Sequence, residues 1–234
     1  MNSTETRTET PNSDRFVLRG TRRGFLGLLP GMAVAPLACL KSKAGDDHHH
    51  GATELRWDLI HLSNDNPPVL SAGGIDWAKA ADGSQITLTG SGTFLSVPGR
   101  GEPHAVTGGG TWETLDSTGA STGSGTYDVS ALVSFDEIPG VTPAAGADDM
   151  IGDPLDSRAG LVILRVLYSD GEEGVLTISC HGGGPVLAPA SVFEGITVTK
   201  GFVGYVDRGK PAAGVDANRT SFHILHRGGH EDKD

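Results

Sequence analysis

Polar and apolar residues alternate in short runs through most of the chain beyond residue 54, the two-residue period of strands. The longest run begins at Thr122. It puts Gly123, Gly125, Tyr127, Val129, Ala131, Val133 and Phe135 on one face. Thr122, Ser124, Thr126, Asp128, Ser130 and Ser134 fall opposite, with Leu132 as the exception. An earlier run sets Ile86, Leu88, Gly90, Gly92 and Phe94 against Gln85, Thr87, Thr89, Ser91 and Thr93. Alternation this long predicts antiparallel strands with one dry and one wet face.

Inside these runs one phrase occurs three times. Thr89-Gly90-Ser91-Gly92-Thr93-Phe94, Thr107-Gly108-Gly109-Gly110-Thr111-Trp112 and Thr122-Gly123-Ser124-Gly125-Thr126-Tyr127 share the form TGxGT plus an aromatic. In each copy the glycines and the ring share the dry face. Breakers between Pro98 and Pro103 predict a hairpin about Gly101. That hairpin would set Gly92 opposite Gly110 and Phe94 opposite Gly108. A second turn, Asp116 to Ala120, predicts Trp112 opposite Gly125 and Gly110 opposite Tyr127. A ring over a facing glycine covers bare backbone, and glycine lets a strand coil.

Further strands are predicted at Leu55–Leu59, Ile75–Ala78, Val175–Cys180, Gly195–Val206 and Ser221–His226. Gly160–Tyr168 is apolar on both parities, which predicts a strand covered on both sides. The expected fold is all-β, an antiparallel meander of about eight to ten strands curled into a small barrel, with a β-sandwich as the alternative. Glu137 to Arg158 is the longest irregular stretch. Its Asp148, Asp149, Asp153 and Asp156 do not follow EF-hand spacing, so a solvated loop is expected. Loops of this length are often functional.

The first forty residues follow another rule. Thr21-Arg22-Arg23-Gly24-Phe25-Leu26 precedes an apolar stretch broken by Pro30 and Pro36, too short for a good membrane span. This segment resembles a twin-arginine export signal. The resemblance implies the twin-arginine export machinery as partner, through Arg22 and Arg23. It also implies an exported location: periplasm, cell surface or extracellular. Leu37-Ala38-Cys39 resembles the end of a lipobox, with Pro36 as a departure. It implies lipidation of Cys39 and a membrane contact through that anchor alone, whereas a cut elsewhere leaves Cys39 unmodified. The expected organisation is signal 1–40, polar tether 41–53, one all-β domain 54–227 and a polar tail 228–234.

The chain carries 18 basic and 29 acidic residues. Five arginines and three acids lie up to Ala38, leaving 13 basic and 26 acidic residues, a net of −13. Such a surface argues against nucleic acid as a partner. With 2 cysteines in all, lipidation of Cys39 would leave Cys180 alone, a small buried hydrophobe in a strand.

No GxSxG elbow, HExxH or cupin-like HxH pattern occurs, and no helix opens after Gly182-Gly183-Gly184 to make a phosphate loop. His223 and His226 point to opposite faces of their strand and cannot share a metal. No cofactor or metal is expected. Phe94, Trp112 and Tyr127 are the candidate walls of a ligand pocket. His104 and His181, at strand ends beside glycine-rich turns, are the candidate catalytic groups. The domain is loosely similar, at fold level alone, to small exported barrels of the allene-oxide-cyclase/dirigent and lipocalin-like kind. That likeness implies a barrel and carries no functional residue. The expected function is binding of a small or extended ligand. A barrel isomerase or cyclase acting on an apolar substrate, and a structural or assembly role at the cell surface, are the alternatives.

Overall fold

The computed structural model describes residues 52–97, 100–141, 146–184, 186–214 and 218–227, with backbone alone at 97, 100–105, 226 and 227. The export signal, Cys39 and most of the tether lie outside the described residues. Sixteen strands are present among those described. The first eight are β1 (Thr53–Leu62), β2 (Val69–Ala72), β3 (Asp76–Lys79), β4 (Gln85–Leu88), β5 (Ser91–Val97), β6 (Arg100–Val106), β7 (Gly109–Leu115) and β8 (Ser121–Glu137). Then follow β9 (Asp148–Asp149), β10 (Ser157–Arg158), β11 (Gly160–Tyr168), β12 (Glu173–Cys180), β13 (Gly195–Lys200), β14 (Val203–Tyr205), β15 (Asp207–Arg208) and β16 (Thr220–Arg227). The only described helix is one 3-10 turn, Pro154–Asp156, capped by the Asp153 side chain.

The fold is all-β, as the alternation predicts. All strands join one sheet, whose main path runs β10-β16-β1-β5-β7-β8-β11-β12-β13-β14. Pairing is antiparallel except for the short parallel pair β2/β9. The sheet is strongly curled and does not close into a barrel. Residues 203–205 pair with β13, while 207–208 pair with β3, and β4 links β3 to β7. The chain thus steps from one neighbour to the next at Val206, where a closed barrel would keep one continuous ladder.

The strand count exceeds the expected eight to ten because glycines interrupt two long strands, the expected strand 195–206 turns back at Gly201 as the hairpin β13/β14, and the expected loop contributes β9 and β10. Thr89-Gly90 separates β4 from β5, and Thr107-Gly108 separates β6 from β7. Backbone bonds span both gaps: Thr89 N donates to Thr111 O at 3.1 Å and Thr107 N to Thr93 O at 2.8 Å. The repeat threonines meet across the wet face. Thr89 and Thr111 hydroxyls lie 2.7 Å apart, and those of Thr93 and Thr107 lie 2.9 Å apart. Such cross-strand pairs fix sheet register.

The second predicted register is observed, with Trp112 opposite Gly125 and Gly110 opposite Tyr127. The first differs by two residues. Ser91 faces Gly109 and Phe94 faces Val106, with an irregularity between Phe94 and Ser96. Up to Phe94 each residue keeps its face, because an even shift preserves alternation. The bare backbone of that hairpin is roofed by Trp57 of β1 and not by a ring from the facing strand. A Cβ added at Gly92 would lie 2.8 Å from Trp57 Nε1, and one at Gly108 would lie 2.9 Å from its Cζ2. Trp112 covers Gly125 as predicted, with a Cβ there 3.0 Å from Nε1.

Phe94, Trp112 and Tyr127 are buried in the core with Trp57, Tyr168 and Phe222. Tyr127 donates its hydroxyl to Thr89 O at 2.9 Å, and Trp112 Nε1 donates to Thr126 O at 3.0 Å. β11 is not covered on both sides. Val162, Leu164 and Val166 are buried, Leu161 and Ile163 half-buried, and Leu167 exposed. Its outward apolar residues are β-branched or aliphatic strand formers on a partly wet face. At the far end of the sheet the Lys200 ammonium lies over Trp112, 4.3 Å from the ring centre, between Asp170 and Glu172.

Candidate functional site

Strand β1 has two contrasting faces. Leu55, Trp57 and Leu59 enter the core. Arg56 and Asp58 point the other way, opposite His223 and Ser221 of β16. Asp58 is fully buried and receives a bidentate pair of bonds from Arg56, both 2.7 Å. Burial raises its carboxyl above the ordinary value, against the pull of the Arg56 guanidinium.

The stretch expected to be a solvated loop is what covers this face. It carries β9, the 3-10 turn and β10, and β10 pairs with β16. Asp149 is enclosed, its side chain 7 % exposed, and its Oδ2 lies 2.9 Å from His223 Nε2. Its Oδ1 accepts from Ile151 N at 2.9 Å and from Gly152 N at 3.4 Å. Gly152 lies against the imidazole: a Cβ there would be 2.9 Å from His223 Cδ2. A larger residue would lift the segment away.

A cavity of about 260 Å³ lies between this segment, β1, β2, the end of β12 and the start of β16. Ile60, Leu62 and Leu70 form an apolar wall. Glu194, Arg219, Ser221 and His223 contribute the polar one. Glu194 reaches the cavity from the residue before β13. Its Oε2 accepts from His181 N at 2.5 Å and its Oε1 from Thr220 N at 2.8 Å. The carboxyl is pushed up to about 7, chiefly by burial, with those backbone donors and Arg219 opposing. Asp76 of β3 lies nearby and accepts from Arg219 N at 3.0 Å. Burial first, and the Glu194 charge second, raise its carboxyl well above the usual carboxylate range. These two acids hold the chain that enters β16 by its backbone, and Glu194 also faces open space.

The Cys180 thiol lines the cavity, buried and free. Burial raises its pKa, so it is no ready thiolate. Ser221 Oγ and His223 Nδ1 are both enclosed and have no hydrogen-bond partner. They do not bond to each other, so the serine is not an activated nucleophile. Among the described residues no three His, Cys, Asp or Glu side chains are grouped to hold a metal ion.

Among the described residues, none of the predicted site side chains lines this cavity. Phe94, Trp112 and Tyr127 are core residues, 1 %, 6 % and 1 % exposed, because the repeat's glycines bring strands together and leave no open interior beside the rings. His181 contributes its backbone N–H to Glu194. His104 lies on β6, its side chain outside the described residues, as are Arg22, Arg23 and Cys39. Asp149, Glu194, Ser221 and His223 were not foreseen as a site. The one signal for His223 was its place on the face opposite Phe222 and Ile224, which alternation predicts to be wet. Comparisons with protein-family models, curated proteins and solved structures gave no match.

Proposed function

We propose that this chain is an exported binding protein that takes a small ligand in the cavity between β1, β16 and the 146–158 segment. The cavity carries the reading: about 260 Å³, just below the usual range of small-molecule sites, with apolar lining and a few convergent polar groups. A carboxyl with a displaced pKa inside such a space is a common mark of a functional site. The enclosed, unactivated Ser221 and the raised Cys180 thiol favour binding over nucleophilic catalysis. The net negative charge favours a small ligand over nucleic acid.

Ligand-observed NMR of the full chain against a library of small amphipathic molecules tests this. Binders are expected, and Ala147→Phe, which fills the cavity, should abolish their signals while the far-ultraviolet spectrum stays unchanged. A library without binders, or binders indifferent to Ala147→Phe, would remove the cavity from consideration.

Export rests on Thr21-Arg22-Arg23-Gly24-Phe25-Leu26, and anchoring on Leu37-Ala38-Cys39. Intact mass of protein recovered from cells is expected to show an N-terminal Cys39 carrying a diacylglyceryl group. A mature end at any other residue sinks the anchor and leaves a freely exported domain. Retention of the whole signal sinks export.

A further inference from the structure

We propose that the cavity recognises a small primary amine with a short apolar body. This rests on the binding role proposed above and adds the chemical class of the ligand. Three observations on the polar wall lead to it.

The first is the direction of the unmet hydrogen bonds. The Asp149 carboxylate only accepts, so the His223 Nε2 beside it, at 2.9 Å, carries the ring hydrogen. In the neutral ring Nδ1 is then a bare lone pair, and it has no partner in the protein. Ser221 Oγ, on the next residue of that strand face, has none either. Each Glu194 oxygen takes one backbone N–H and keeps a second lone pair. The Glu194 oxygens thus keep free lone pairs, and the Ser221 hydroxyl can accept as well as donate, so a donor group finds partners on this wall. An ammonium group has three N–H donors and no acceptor.

The second is charge. Among the lining residues Asp149 and Glu194 are acidic, and Arg219 is the one arginine or lysine. Arg219 already commits its Nε to Ala212 O at 2.8 Å. The third is shape. Ile60, Leu62 and Leu70 line the same cavity beside these polar groups and would cover an alkyl chain of a few carbons.

Titration of the full chain with n-pentylamine, n-pentanol and pentanoate, three probes of one shape, gives the test. At pH 8 the amine is expected to bind about tenfold or more tightly than either control, as a charge-assisted bond requires. Its affinity should fall about tenfold between pH 8 and pH 6, since Glu194 titrates near 7 and the ammonium prefers the ionised carboxylate. The groups facing Glu194 are Asp76 from β3, Cys180 at the end of β12 and Arg219 ahead of β16. Burial raises Asp76 and Cys180, and the Arg219 guanidinium draws the Glu194 carboxyl down against its own burial. Glu194→Gln should weaken the amine and flatten its pH dependence. Ser221→Ala removes an oxygen without a partner, so it should leave folding intact and weaken the amine several-fold. That variant carries the test should Glu194→Gln fail to fold. Pentanol or pentanoate binding as tightly as the amine would overturn the ligand class and leave the cavity's role standing. Failure of all three probes together with an empty library screen would overturn both.

Discussion

Replacing Trp57 with alanine is expected to lower the unfolding free energy by about 3–5 kcal/mol, the usual cost of emptying a large aromatic site. Trp57 is fully buried, and its ring lies over the backbone at Gly92 and Gly108. Without it, three strands lose their shared roof, and neither glycine has a side chain to fill the gap. The indole Nε1 has no hydrogen-bond partner. Trp57→Phe removes that enclosed donor and keeps much of the apolar area, so it should cost clearly less than the alanine change. Urea midpoints of the two variants check this. A Trp57→Ala protein within about 1 kcal/mol of the parent would mean that the ring is not what holds the glycine-bearing strands together.

The second large effect is a loss of stability as the pH rises. Glu194 has an ordinary carboxyl pKa of 4.5 and is pushed up to about 7 in the fold. Between those values the unfolded chain has released the proton and the folded protein still holds it. Stability from this group is therefore complete below about 4.5 and is lost as the pH passes through about 7, a change of about 3 kcal/mol. Asp76 is raised as well and acts in the same direction. Asp82, Asp116 and Asp170, held low chiefly by side-chain hydrogen bonds, change stability only on the acid side, below about pH 4. Thermal unfolding should thus show a clearly lower midpoint at pH 8 than at pH 5.5, and Glu194→Gln should remove much of the difference. A flat or rising profile over that interval would contradict the enclosed carboxyl. Ligand and fold then pull Glu194 in opposite directions: folding favours the proton, and an ammonium partner favours its loss. An amine bound at pH 8 should restore stability in proportion to its affinity.

Much of the fold was legible because strand alternation is local. The glycines, Phe94, Trp112 and Tyr127 were placed on the dry face by counting residues. The Trp112–Gly125 pairing followed from a short turn between Asp116 and Ala120. The first hairpin was harder to read. A slip of two residues leaves every side chain on its own face, so the pattern permits several registers. The irregularity between Phe94 and Ser96 then selects one that symmetry about Gly101 does not. Trp57 was invisible as the roof of that hairpin because β1 lies about 35 residues upstream, and only the curl of the sheet brings it there.

The candidate site was hidden for a related reason. Asp149, Glu194 and His223 are far apart in sequence, on elements that meet only after the sheet has curled. His223 alternates with Phe222 and Ile224, which by itself predicts a wet side chain. Asp149 stands in an acidic, proline-bearing stretch that reads as solvent-exposed. Each reading is sound for a strand or loop taken alone.

The amino-acid order determined which residues face together along most of each strand, where most turns fall, and that the product is a sheet with a dry, glycine-relieved side. It did so because those properties depend on neighbours one and two residues away. In β8 an irregularity at Val133 reverses the expectation, burying Leu132 and exposing Val133. The tertiary structure alone decided that segment 146–158 folds back over β16, turning an outward face into the wall of a cavity. That outcome depends on an Asp149–His223 contact across 74 residues, and no short-range pattern encodes it.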